Sequence, residues 1–255
     1  KPRVIASLAP SFASEFPGVA PAALVSAIKR LGFFGVSETA IGADLVSSSL
    51  AEDFAALRAG GTSPSDGIER KLFLSSACPV AVEYVKLYMS ELAPCVTDRA
   101  SPLLAHARFL KKLYGPATGI VFIGPCIAKK READVWQTID SAISFGDLKD
   151  WLSEEGIVLP QTGAASRPGT APSPGSQSWP SARAGADSFI PFAAAKGALY
   201  PVDGGMIASI EKYPGGKAVR TMTASGLDGI EAALRGISPE ALREPLFVEL
   251  LACPG

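Results

Sequence analysis

Short β-rich apolar runs alternate with helix-patterned segments through the first half of the chain, and that alternation leaves few folds open. Arg3–Leu8 reads as strand. Pro21–Leu31 has apolar positions at helical spacing, with Pro at its start and Gly32 just past its end. Phe33–Ala40 reads as strand, Ala43–Leu57 as helix, Leu72–Ser75 as a short strand and Pro79–Leu92 as helix. Ser101-Pro102 opens a helix that stops at Gly115-Pro116, and Ile120–Ile123 is a buried strand. The second half repeats the grammar with strands at Ala142–Phe145, Val219–Thr223 and Phe247–Leu251, and helices at Gly146–Glu155 and Leu227–Leu234. The expected fold is α/β, with mainly parallel sheets flanked by helices in two lobes, residues 1–135 and 136–255. Within the second lobe, 161–187 is rich in Pro, Ser and Gly and is expected to be a disordered insertion.

Composition narrows the function classes. The chain has 255 residues, 47% apolar and 19% charged, which suits a globular protein with a sizeable core. A formal net charge of -1 gives no basic field to attract nucleic acid or an anionic membrane. No run approaches the roughly 20 apolar residues of a membrane span, and Val4–Ala9 is too short for a signal-peptide core. A cytoplasmic protein is expected. A start at Lys1 and a stop after Cys253-Pro254-Gly255 read as those of a fragment.

Four cysteines are widely spaced in a chain too large to need disulfide staples, which favours metal binding over a disulfide framework. Cys78, Cys126 and Cys253 each follow a predicted strand, with Pro or Gly beside them. Carboxyl ends of strands are where open α/β sheets bind ligands. Soft thiolates converging from separate strands suit zinc or an iron–sulfur cluster, and spacing alone does not choose between them. Cys95, in Pro94-Cys95-Val96, lacks this setting and reads as a structural thiol.

The neighbours of these cysteines carry a resemblance. Ser75-Ser76-Ala77-Cys78-Pro79 resembles a T-S-C-C-P segment, and Gly124-Pro125-Cys126-Ile127-Ala128-Lys129-Lys130-Arg131-Glu132-Ala133-Asp134 resembles M-P-C-x-x-K-K-x-E-A-D. Phe247–Gly255 is similar to the start of F-I-E-x-M-A-C-x-G-G-C, and Ala9-Pro10-Ser11 to an opening A-P-[AS] segment. These are the motifs of the iron-only (FeFe) hydrogenases, in the family's order.

The resemblance implies two α/β lobes enclosing an H-cluster in the cleft between them. That cofactor is a 4Fe-4S cubane joined through a cysteine to a di-iron subsite carrying carbon monoxide, cyanide and a dithiolate. By the match, Cys78, Cys126 and Cys253 ligate the cubane, and the bridging cysteine falls just past Gly255, outside this chain. Lys129 matches a lysine that binds a cyanide ligand. Ala9, Pro10, Ser11 and Ala77 line the pocket, Ser11 with a hydroxyl to offer. The implied partners are H2, protons and a ferredoxin-like electron donor or a further iron–sulfur domain.

Departures from the pattern bear on activity. Ala77 stands where catalytic members place a proton-passing cysteine. Leu50 and Asp53 fall on two relay glutamates, and Thr97 on a relay serine, so an acid and a hydroxyl survive. Gly124 and Leu251 replace methionines. The pattern resembles sensory hydrogenases, which join this domain to PAS, kinase or phosphatase modules. It implies slow turnover and hydrogen or redox sensing. Restoring both Ala77→Cys and Leu50→Glu is expected to raise turnover more than the two single changes together. The alternative is a non-enzymatic iron–sulfur protein of the same fold, such as the cluster-assembly factors related to prelamin-A recognition factor.

Other residues read more plainly. His106, the only histidine, sits inside a predicted helix and is expected to be structural. Tyr200–Met206 is either a turn or a segment packed over the cluster. Lys111-Lys112 and Lys129–Arg131 read as solvated charge unless they dock an electron partner.

Overall fold

A computed structural model describes residues 3–60, 71–161 and 187–253. Two all-parallel sheets carry the fold. In the first, β1 (Val4–Leu8) lies between β2 (Gly35–Glu38) and β4 (Gly119–Ile123), with β5 (Ser141–Ile143) beyond β4. In the second, β7 (Leu246–Leu251) lies between β3 (Leu72–Leu74) and β6 (Arg220–Ser225). This is the α/β class that the alternating pattern predicts.

Helices follow the strands: α1 (Phe12–Glu15), α2 (Pro21–Arg30), α3 (Ala40–Arg58), α4 (Pro79–Tyr88), α5 (Pro102–Tyr114), α6 (Ile127–Val135), α7 (Phe145–Glu154), α8 (Gly205–Ile210) and α9 (Leu227–Leu234). Pro opens α2, α4 and α5, where its missing N–H costs no helical bond. Ser101 Oγ accepts the Leu104 N–H at 3.3 Å and caps α5. Ser144 and Asp147 form a reciprocal capping box that starts α7.

Strand pairing crosses residue 135 in both directions. β3, from the first half, pairs with β7, while β5, from the second half, pairs with β4. Each sheet thus draws strands from both sides, because spatial pairing and not chain position decides which strand completes a sheet. The Pro- and Ser-rich stretch lies outside the described residues except for its ends, of which Gln161 bridges to Val19.

Two elements end or start elsewhere than their pattern suggests. The strand Phe33–Ala40 shortens to β2 because Thr39 becomes the N-cap of α3. The helix Pro79–Leu92 breaks after Tyr88, and Ser90–Cys95 winds on as a 3-10 helix containing Pro94.

Alternation along β3 and β7 builds two cores at once. Leu72, Leu74, Leu246, Val248 and Leu250 pack against α4 and α9 residues such as Val85 and Ile230. Phe73 and Phe247 point the other way and meet Val46, Leu50 and Phe54 of α3 and Met206 of α8. Phe54 and Phe247 are fully buried with ring centroids 5.4 Å apart. Burying each such side chain contributes about 2–3 kcal/mol. A third core, with Ile5, Leu8, Leu24, Ile28, Leu103 and Ile120, holds the first sheet.

Candidate functional site

Cys78 and Cys126 are built alike. Each follows a strand, adopts an extended conformation and is the N-cap of the next helix, α4 or α6. Cys253 lies two residues past β7. Because β3 and β7 are paired neighbours, Cys78 and Cys253 leave the same edge of one sheet. Cys126 comes from the other sheet, and α6 packs against α4. The thiol of Cys253 is pushed up first by burial and then by the charges of Cys126 and Cys78, so the three thiols lie within electrostatic reach. Cys95 is buried instead in the core of the second sheet.

Among the described residues, no group of three or more His, Cys, Asp or Glu forms a cluster that could hold a metal ion. A four-iron cubane takes one ligand at each corner, so its thiolates stand farther apart than those of one ion. The donor set is thiolate throughout, which fits an iron–sulfur cluster in chemistry.

Backbone and hydroxyl bonds tie the first cysteine segment to the third, and the second to its neighbours in the first sheet. Ser75, fully buried, donates its N–H to Val248 O at 3.0 Å, and its Oγ accepts the Leu250 N–H at 2.9 Å. Ala9 donates its N–H to Ile123 O at 2.8 Å, and Gly124 donates to Ile143 O at 3.1 Å. A Cβ on Gly124 would stand 2.7 Å from the Ala9 Cβ and 2.5 Å from the Phe122 ring, so the segments meet only because Gly has none. Pro10 and Ser11 follow half-buried, and the Ser11 carbonyl accepts the Glu15 N–H at 3.2 Å in α1.

The residues singled out for proton transfer fall into two different settings. Half-buried Ala77 packs against the apolar cluster of Val46, Leu50, Phe54, Phe73, Met206 and Phe247, in which Leu50 is 1% exposed. Hydrocarbon therefore surrounds Leu50 and borders Ala77. Thr97, buried, lies beside β3, its N–H donating to Leu74 O at 2.8 Å. Its hydroxyl donates to Ser76 Oγ at 3.1 Å, and the Ser76 hydroxyl donates to Arg99 O at 2.8 Å. Asp53, buried at 4% exposure, is ion-paired with the Arg99 guanidinium. Ser76 and Arg99 carry no local signal beyond proximity to a motif, and their pairing joins residues far apart in sequence.

Lys129 lies in the first turn of α6 and pairs with Glu132 at 2.9 Å, both side chains largely buried. Lys130 reaches Asp147 of α7 at 2.8 Å. With Ser144 it holds the Asp147 carboxyl far below the usual carboxylate range. Two members of the run read as solvated charge are thus ion-paired, and the run itself forms a helix.

Two further groups belong to the framework. Glu249 sits on the Phe247 face of β7, buried, and accepts the N–H groups of Met206 at 3.1 Å and Ile207 at 3.0 Å. Burial pushes its carboxyl up, those two bonds pull it back, and Asp203 raises it again. Tyr200–Met206 is thereby tied to the third cysteine segment. His106, fully buried, exchanges hydrogen bonds with Ser7 at Nδ1 and Ser37 at Nε2, both 2.8 Å, on registered partners of β1 and β2. Burial lowers its pKa to about 3, which suits the structural role expected of it.

Among the described residues, no helix is long and apolar enough to cross a membrane. No curated protein matches the chain. Solved structures similar throughout its length include three FeFe-hydrogenase chains. An FeFe-hydrogenase HydA1 variant from Chlamydomonas reinhardtii is 17% identical, with a TM-score of 0.65, over 99% of this chain and 77% of that one. An FeFe-hydrogenase studied for oxygen inactivation through its H-cluster 2Fe subcluster gives 20% and 0.63, with the same coverage. HydA(deltaEFG), from work on stepwise H-cluster assembly, gives 18% and 0.62, again over 99% and 77%. These likenesses show the fold. The model of the iron only hydrogenase large subunit, C-terminal domain, matches residues 2–255, and the chain belongs to that family.

Proposed function

We propose that this domain holds an H-cluster, binds H2 heterolytically with slow turnover, and serves hydrogen or redox sensing in a larger protein. What supports the reading is that Cys78, Cys126 and Cys253 each follow the carboxyl end of a strand, β3, β4 and β7, and that β3 and β7 are paired neighbours. In this reading the three thiolates would hold the 4Fe-4S cubane of an H-cluster. That group supplies the chemistry of splitting H2 when bound. Lys129, whose largely buried ammonium pairs with Glu132, would supply a charge-assisted contact to an anionic ligand of that group. Ala9, Pro10 and Ser11 would line the pocket beside the second segment, to which Ala9 donates its N–H at Ile123 O, 2.8 Å away.

Slow turnover follows from the surroundings of the relay positions. Ala77 and Leu50 share one apolar cluster, and hydrocarbon passes no proton. Asp53 is occupied by Arg99. Electrons would come from a ferredoxin-like partner or a further iron–sulfur domain, and the output from PAS, kinase or phosphatase modules outside this chain. The two lobes are proposed to be the sheet-one and sheet-two halves of the fold.

Reconstitution tests the reading. Cys126→Ser should abolish most cubane absorbance of the full-length protein, and Cys95→Ser should keep it. Equal loss in both variants would refute the ligand set. Infrared bands of metal-bound carbon monoxide and cyanide should appear in matured protein. Cubane absorbance without those bands would favour the non-enzymatic cluster protein instead.

A further inference from the structure

We infer that Arg99 is a positioning residue that shuts the polar line beside the first cysteine segment, an inference that rests on the proton-relay reading above. Arg99 acts through two groups. Its guanidinium Nη2 is ion-paired with Asp53 Oδ2 across 46 residues of sequence. Its backbone carbonyl accepts the Ser76 hydroxyl at 2.8 Å, and Ser76 Oγ in turn accepts the Thr97 hydroxyl at 3.1 Å.

A proton moves along hydroxyls only when each oxygen takes one proton and gives up another. Thr97 gives to Ser76, and Ser76 gives to a carbonyl oxygen that has no proton to hand on. The line therefore stops at Arg99 O. On the acid side, the guanidinium covers a carboxylate oxygen of Asp53 that a hydroxyl or water would need to reach. Arg99 Nε is buried with no partner among the described residues, and its side chain is 21% exposed. An unsatisfied buried donor costs stability. The placement is thus set by the Nη2 bond to Asp53 and by the Ser76 hydroxyl on the carbonyl, with Nε contributing none. One residue, two positions after Thr97 on the loop that leads into α5, holds both ends of the polar line shut.

Arg99→Gln should remove the anchor on Asp53 and so free the loop that carries the carbonyl end of the lock, and Arg99→Lys, which keeps the charge opposite Asp53, should free it less. Two readouts separate the outcomes. In the unmatured full-length protein, hydrogen–deuterium exchange of peptides covering 75–79 and 96–101 should quicken about tenfold in Arg99→Gln and less in Arg99→Lys. In matured protein carrying Ala77→Cys, adding Arg99→Gln should raise kcat about tenfold and leave the KM for H2 unchanged, since a released relay affects proton transfer and not gas binding. Unchanged exchange would overturn the lock, and so would faster exchange with unchanged kcat while the carbon monoxide and cyanide bands persist. Absence of those bands in the parent protein would instead bring down the cluster reading, and this inference with it.

Discussion

The N–H of Leu250 donates to Ser75 Oγ at 2.9 Å inside the core, so a strand of the third cysteine segment is fastened to the residue three positions before Cys78. The same serine returns the contact through its own N–H, which donates to Val248 O at 3.0 Å. The register of β3 on β7 is thus fixed at the point where both strands release their cysteines. Any ligand shared by Cys78 and Cys253 depends on that register.

Ser75→Ala removes the acceptor and leaves the Leu250 N–H buried and unpaired. An unsatisfied buried donor costs about 1–3 kcal/mol, so urea unfolding should show a loss of that size with an unchanged slope. Cubane occupancy on reconstitution should fall in parallel. Stability equal to that of the parent would mean that water replaces the hydroxyl there.

Gly124→Met, which would insert the residue found in the family motif, should destabilise this chain. The added Cβ meets the Ala9 Cβ at 2.7 Å and the Phe122 ring at 2.5 Å, and a full side chain adds to the overlap. Overpacking of this kind costs about 1–3 kcal/mol. A melting temperature unchanged by the substitution would show that the Ala9 turn moves freely, which its bond to Ile123 O argues against.

His106 predicts a pH dependence of stability. Its folded pKa, about 3, is lowered from an ordinary 6.5 by burial, so the unfolded chain binds the proton first. Stability from this group is complete above the ordinary value and falls with pH by about 1.4 kcal/mol per unit toward the folded value. Between about pH 7 and about pH 5 the loss should be about 2 kcal/mol, measured by urea unfolding. Glu38 and Glu249, whose carboxyls burial pushes up, work in the opposite sense as they protonate. His106→Asn should lower stability at neutral pH and flatten that slope. An unaltered slope in His106→Asn would assign the dependence to other groups.

How much of this was legible depends on how local each feature is. Cys78, Cys126 and Cys253 announce themselves because a β-rich run precedes each and Pro or Gly turns the chain beside it. Helix α6 was hidden for the opposite reason: only Ala133 of it is buried, so no apolar stripe marks it. The Asp53–Arg99 pair and the bridging of Ser7 and Ser37 by His106 join residues far apart in the chain, and no periodicity encodes such contacts. The exchange of β3 and β5 between the sheets is of the same kind, a matter of pairing in space.

The proton route is where structure changes the expected experiment. From sequence, Ala77→Cys with Leu50→Glu should restore a relay better than either change alone. Ala77 is half-buried, so a thiol there adds one heavy atom at little cost, and Ala77→Cys should recover part of the about 10²- to 10⁴-fold that a general acid–base step contributes. Leu50 is different, packed at 1% exposure among Phe54, Phe73, Met206 and Phe247. A carboxylate placed there has no partner and little water, which costs about 3 kcal/mol or more. Leu50→Glu should therefore lower the melting temperature clearly, and the double variant should turn over no faster than Ala77→Cys alone. Removing Arg99 from Asp53 is the change that should add to Ala77→Cys. Leu50→Glu with full stability and added turnover would show that a wet path runs past α3 after all. Turnover in the unmodified matured protein at the level of a catalytic hydrogenase would remove the sensory reading itself.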